Sequence, residues 1–234
     1  MNSAFELNSK VVAELTLGSI AGLTPAQQDL IFQTKKEQTF SSLLAAGLQS
    51  NFDPSNLRAL VELKGIEKVV KSKDKSILKK KRNTHDVALI DSASKFQLIL
   101  ENKVWYHFDG AKGRKKKKVN PNIDEQLVPD IYKLILTASH QAVKPKCFVL
   151  MNLVTPSDPS LLPAAYFGDH EKSFKRVNES MEQYRSDGID GVRSIFDKHL
   201  SEITDLVHLG SDTPMGISGL AMIDVFCAEV VVQK

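Results

Sequence analysis

The sequence predicts an α/β fold: a central mixed β-sheet flanked by helices, followed by a helical and strand C-terminal elaboration. Three observations carry that expectation. Thr84 to Ile90 and Lys95 to Phe108 read as two strongly apolar strands, joined by the turn-forming Asp91-Ser-Ala-Ser94. A helical stretch from about Ile123 to Ser139 comes next, and then a third apolar strand from Lys146 to Leu153, closed by Thr155-Pro156. Strand, helix, strand in that order lays a helix over a sheet, and strands apolar on both faces belong inside a sheet.

The other elements are read from the same signals. A short helix fits Ser9 to Ile20. Thr24-Pro25 is an N-cap with proline in the first helical turn. It opens the stretch Ala26 to Leu48, whose second half is amphipathic through Phe40, Leu43, Leu44 and Leu48, with Glu37 one turn earlier. Asn51-Phe-Asp-Pro54 breaks that pattern. Leu57 to Leu63 reads as a short helix and Ile66 to Lys71 as a strand. Pro129 either kinks the Ile123 to Ser139 helix or marks its start. Beyond Pro156, Lys172 to Ile203 is largely helical with interruptions near Gly188 and Gly191, 210–219 is a loop, and Ala221 to Val232 is a last strand. There is no internal repeat and no clear linker. One domain over 1–234 is expected, with its core at about 24–155 and the elaboration at about 156–234.

At 42% hydrophobic and 25% charged residues over 234 positions, the chain is expected to fold rather than stay disordered. No segment approaches the roughly 18 uninterrupted apolar residues of a spanning helix. The N-terminus lacks the basic and apolar regions of a secretory signal, so a cytoplasmic protein without membrane contact is expected. Cys147 and Cys227, the only 2 cysteines, lie in apolar runs and read as buried free thiols.

The net charge of +3 is unevenly spread. Lys68 to Arg82 holds eight basic residues against Asp74, and Lys112 to Lys118 holds six and no acid. Two such blocks suggest either solvated loops or a polyanion partner. Other chemistries lack their signatures: there is no phosphate-binding loop, no dinucleotide or nucleophile-elbow motif, and no zinc-ligand spacing among the cysteines and 6 histidines.

The hairpin supplies a candidate site. A turn centred between Ala93 and Ser94 pairs Asp86 with Glu101, which puts their Cβ atoms roughly 4.5–5.5 Å apart. Alternation projects Glu101 and Lys103 from one face and sends His85 to the other, where it reads as structural. Two adjacent carboxylates repel, and a hard divalent cation such as Mg2+ relieves that repulsion. Lys103 would orient a metal-bound water, help deprotonate it, or stabilise charge on a phosphate. Glu37 is either an exposed helix residue or a third acid, with Glu62 and Glu67 as weaker substitutes. Asp91 reads as turn chemistry, Trp105 as packing, and Asp130 with Lys133 as a helix-surface pair. Lys79, Lys80, Lys81 and Arg82 precede Asp86, and Lys112, Arg114, Lys115, Lys116, Lys117 and Lys118 follow Lys103. Both runs therefore fall at the end of the hairpin opposite the Asp91 turn, where a phosphate backbone could pass between them.

This pattern resembles the PD-(D/E)xK nuclease superfamily, which includes restriction endonucleases and many repair and recombination nucleases. The matching residues are Asp86 as the first acid and Glu101-Asn102-Lys103 as the E-x-K element, with His85 where a proline often precedes the first acid. The preceding helix with Glu37 and the following helix with Asp130-Ile-Tyr-Lys133 fit as well. The resemblance covers about Thr24 to Thr155. It implies a restriction-endonuclease-like core in which Asp86, Glu101 and the Asn102 backbone carbonyl hold Mg2+ (Mn2+ as a substitute). Lys103 would assist the attacking water and Glu37 would complete the site. It implies double-stranded DNA as substrate and, for a type II-like restriction endonuclease, a homodimer. The alternatives are a repair or structure-specific nuclease, or a non-catalytic nucleic-acid-binding module on the same fold.

Overall fold

The computed structural model describes residues 7–34, 37–52, 56–64, 84–106, 121–156, 181–217, 219 and 221–232. Three helices come first: α1 (Ser9–Ala21), α2 (Pro25–Thr34) and α3 (Glu37–Ser50). They are followed by β1 (Leu57–Lys64), β2 (Thr84–Asp91) and β3 (Phe96–Tyr106). Then come α4 (Pro121–Ser139), β4 (Lys146–Pro156), α5 (Met181–Asp197), β5 (Ile203–Gly210) and β6 (Ala221–Val230). The strands form one mixed sheet in the order β1-β2-β3-β4-β6-β5, in which β3 and β4 are parallel and every other neighbouring pair is antiparallel.

Helices cover both faces, so the central strands are apolar on both sides. On one face Phe32, Phe40, Leu44 and Leu48 pack with Val87, Leu89, Leu98 and Leu100. On the other, Leu127, Ile131, Leu134 and Phe196 pack with Ala88, Ile99, Val149 and Phe226. Each buried Val, Leu, Ile or Phe among them contributes on the order of 1.5–3 kcal/mol. Cys147 and Cys227 are free and buried, as their apolar neighbourhoods imply.

Three expectations are corrected. Leu57 to Lys64 is the edge strand β1, not a helix. Leu57, Ala59 and Val61 pack at a period of two toward the α3 side, and seven residues are too few to distinguish that period from a helical one. The Gln49 side chain of α3 closes the strand's outer edge, accepting from Ala59 N at 2.8 Å and donating to Leu57 O at 3.2 Å. α5 runs through Gly188 and Gly191 without interruption. Burial of Val192, Ile195 and Phe196 offsets the cost of about 1 kcal/mol per helical glycine. The Ala26 to Leu48 stretch is helical in α2 and α3, with residues 35–36 outside the described ones. Finally, Ile203 begins strand β5 instead of ending a helix, and a register shift between Thr204 and Val207 hides its alternation. The expected strand at 66–71 lies outside the described residues. α4 continues through Pro129 from Pro121.

β6 pairs with β4 along nine residues, Phe148–Pro156, so the C-terminal strands extend the central sheet itself. A polar clamp secures α5 to them. Asp224 of β6 is fully buried and accepts from Arg185 Nε at 2.7 Å, Arg185 Nη2 at 2.8 Å and His208 Nε2 at 2.9 Å. The His208 ring stacks on Phe226 with centroids 4.3 Å apart. A Cβ at Gly210 would lie 2.6 Å from both Asp224 Oδ1 and Arg185 Nη2, so glycine is what lets the clamp close over β5.

Candidate active site

The β2–β3 register reaches the expected pairing only through a bulge: next to the turn Ile90 faces Phe96, the register shifts between Leu89 and Ile90, and Leu89 then faces Leu98 and Val87 faces Leu100, which leads on to Asp86 and Glu101. The side chains do not simply alternate there. The β1–β2 ladder passes from Val61–Val87 to Leu63–His85 without pairing Glu62 to Asp86, and Glu62 has a left-handed φ of 51°. At this interruption His85, expected on the opposite face, turns toward α4. Its Nδ1 lies 2.6 Å from Glu101 Oε1, and its Nε2 lies 3.1 Å from the Thr137 hydroxyl. Asp86 is directed instead to a cavity of about 290 Å³, lined by Glu37, Gln38, Ser41, Glu62 and Asp86.

Lys103 joins the three helix and strand contributions. Its Nζ lies 2.9 Å from Glu37 Oε1 of α3, 2.8 Å from Asp130 Oδ2 of α4 and 4.0 Å from Asp86 Oδ2 of β2. It also donates to the Asn102 carbonyl at 3.1 Å, the oxygen expected to face a metal. Asp86 Oδ2 in turn accepts from the Asn102 backbone N–H at 2.7 Å, which fixes the first acid to the neighbouring strand. Glu101 is buried and pairs with Lys133 as well as His85. Lys133 lies 3.9 Å from Asp130, one helical turn away.

Asp130 and Lys133 are thus members of the site and not a surface pair; Asp130 is only 1% exposed. The sequence held a usable signal. Leu127, Asp130, Ile131 and Leu134 fall on one stripe of α4, so the acid sits where the helix buries its face.

Electrostatics follow from this packing. Burial raises the Glu101 carboxyl well above its ordinary value; Lys133 opposes that, and Asp86 and Asp130 add to it. Desolvation also raises Glu37 against the pull of Lys103, with Asp86 and Asp130 again adding. Burial, followed by the charge of Lys133, pushes His85 down to about 3, so it is neutral near pH 7. Burial pulls Lys103 down, but Asp130, Glu37 and Asp86 outweigh it and hold the ammonium charged. Counted in their ionised forms, four carboxylates around two lysines sum to two formal negative charges before Glu62, and the raised Glu101 and Glu37 are the acids that take up a proton most readily.

A buried amide chain locks α3 to this site. Asn102 Nδ2 donates to Ser41 Oγ at 3.0 Å, and Asn152 Nδ2 of β4 donates to Asn102 Oδ1 at 2.7 Å. Asn102→Leu removes both bonds and strands a buried amide, so a loss of about 1–3 kcal/mol is expected by urea denaturation. A change below about 0.5 kcal/mol would show that the chain is not a fixed link.

Asp91 is turn chemistry as expected, accepting from Ala93 N and Lys95 N at 2.9 Å each. Trp105 is a packing residue. The ten basic residues from Lys79 to Arg82 and from Lys112 to Lys118 lie outside the described residues, as does Glu67. Strand ends that bracket them, Lys64 paired with Thr84 and the C-terminus of β3 at Tyr106, lie at the Lys103 end of the sheet. Among the described residues no three His, Cys, Asp or Glu side chains already converge as a metal-ligand set. Comparison with known proteins returns no match among family models, curated proteins or solved structures.

Proposed function

We propose that the chain is a metal-dependent endonuclease of the PD-(D/E)xK class acting on double-stranded DNA, with type II-like restriction as its cellular role. The observation that carries the reading is the convergence on Lys103. Its ammonium contacts Glu37 and approaches Asp86, from two other elements, beside an open acidic cavity. The motif on the adjacent strands β2 and β3, with α3 before them and α4 after, supports that reading.

The donors suit Mg2+ or Mn2+ in kind. They are hard carboxylate oxygens with excess negative charge, and Mg2+ usually takes only one or two protein carboxylates and keeps its waters. Asp86 and Glu37, which line the cavity, would hold it, with the Asn102 carbonyl as a further ligand; Glu101 would join them only by giving up His85 or Lys133, which engage its two oxygens. Such a cation, when bound, supplies a water of lowered pKa and positive charge beside the phosphate. Lys103, set among these carboxylates, would orient the water, help deprotonate it or stabilise phosphate charge. Asn102 N–H fixes Asp86, and His85 with Lys133 fixes Glu101. The basic residues flanking Thr84 and Tyr106 would carry the DNA backbone toward the cavity. Cutting both strands calls for two sites, which a homodimer provides.

Incubation with supercoiled plasmid and with branched oligonucleotides, in Mg2+ or Mn2+ and in EDTA, tests this. Discrete linear fragments are expected. Nicking or cleavage confined to branches would assign a repair role, and binding of DNA with no cleavage of any substrate would overturn the nuclease reading in favour of a binding module.

A further inference from the structure

The Lys103 side chain has four flexible carbons, yet its ammonium is held from several sides. The partners that hold it are not equivalent. Glu37 is 41% exposed and Asp86 26%, whereas the Asp130 side chain is 2% exposed. Asp130 sits on the stripe of α4 that packs against the sheet, between Leu127 and Ile131, both buried. A carboxylate placed there is costly unless it is paired. Its Oδ2 takes Lys103 at 2.8 Å, and its Oδ1 faces Lys133 at 3.9 Å, the lysine that pairs with Glu101. One fixed carboxylate therefore touches the lysine of the strand motif directly and the glutamate of that motif through a second lysine.

We propose that Asp130 is a positioning residue for the hydrolysis: from α4 it anchors the Lys103 ammonium in the gap between Glu37 and Asp86. The inference rests on the nuclease reading and adds to it a residue outside the strand motif. Without Asp130, Lys103 keeps Glu37 as its nearest carboxylate, and the ammonium follows that half-exposed group toward solvent. A displacement of about 1 Å from productive geometry costs on the order of 10²-fold in rate.

The test compares wild type, Asp130→Asn, Lys103→Ala and the double variant. In the metal-free proteins, acylation by an amine-reactive ester, mapped by mass spectrometry, is expected to label Lys103 several-fold faster in Asp130→Asn than in wild type. With plasmid and Mg2+, Asp130→Asn is expected to lower kcat about 10–100-fold with KM changed less than about threefold, and to cost nothing further in a Lys103→Ala background. Asp130→Glu keeps the charge but moves it by one methylene. It should lose kcat while melting close to wild type, and it serves if the asparagine variant does not fold. Unchanged Lys103 labelling, or losses that add in the double variant, would overturn the proposal and leave the nuclease reading standing. If wild type cleaves no DNA with either metal, the nuclease reading fails and a catalytic role for Asp130 fails with it.

Discussion

Lys103→Ala is expected to lower metal-dependent DNA cleavage by about 10²–10⁴-fold in kcat, the range for removing a positioned proton-transfer or charge-stabilising group. The side chain supplies the positive charge closest to Asp86 among the described contacts, at 4.0 Å, and its ammonium is held protonated. Nothing in the alanine variant replaces it, because Lys133 is engaged with Glu101. DNA affinity in Ca2+ should change little, since sequence-independent binding spreads over many phosphate contacts and one lysine is a small share. Lys103→Arg keeps the charge but replaces a compact ammonium with a planar fork that fits three separate acceptors poorly, so partial activity is expected. Cleavage by Lys103→Ala at the wild-type rate would refute the site. Loss of folding in that variant, read by circular dichroism, would shift the test to the arginine variant's rate.

The second large effect is on stability and lies outside the site. Arg185→Met is expected to cost about 3 kcal/mol or more, because Asp224 is fully buried and would keep only His208 as a partner. Asp224→Asn should cost less, about 1–3 kcal/mol, since Arg185 is 24% exposed and its guanidinium can turn to water. The order of the two losses is the discriminating result; equal losses would mean that the clamp is not governed by the buried carboxylate. A pH dependence accompanies it. Burial raises the Asp224 carboxyl, but hydrogen bonds from His208 and Arg185 and the charge of Arg185 outweigh burial and hold it below its ordinary value. The unfolded chain therefore binds the proton more readily. The clamp's contribution is complete above the unfolded carboxyl value near pH 4 and is lost as pH falls through the folded one. Urea denaturation at neutral pH and near pH 3 should show the gap between wild type and Arg185→Met closing in acid.

The hairpin, the amphipathic half of α3 and strand β4 were legible because each is long enough for its apolar period to show. The register that leads to Asp86 and Glu101 was matched without its cause: the turn is centred on Ala93, and a shift between Leu89 and Ile90 supplies the extra residue. What stayed hidden depends on partners far along the chain. Lys103 meets Glu37 across 66 residues and Lys133 meets Glu101 across 32, and no local pattern records that an acid on one element is neutralised by a lysine on another. His85 was misplaced because alternation was carried through the point where Glu62 departs from strand geometry. β5 was missed because its bulge removes the period that would mark it.

The strand order carries a kinetic consequence. β6, late in the chain, lies between β4 and β5, and α1, the first described helix, packs on both β6 and β5. The early helices thus cannot complete their packing until the latest strand has been placed, and most of the loop-closure entropy must be spent before that contact forms. Such a high contact order favours slow refolding through species in which the flank of β4 is still unpaired. That flank runs from Phe148 to Pro156, so aggregation during refolding should begin at this strand, and a peptide with the sequence of β6 should compete for it.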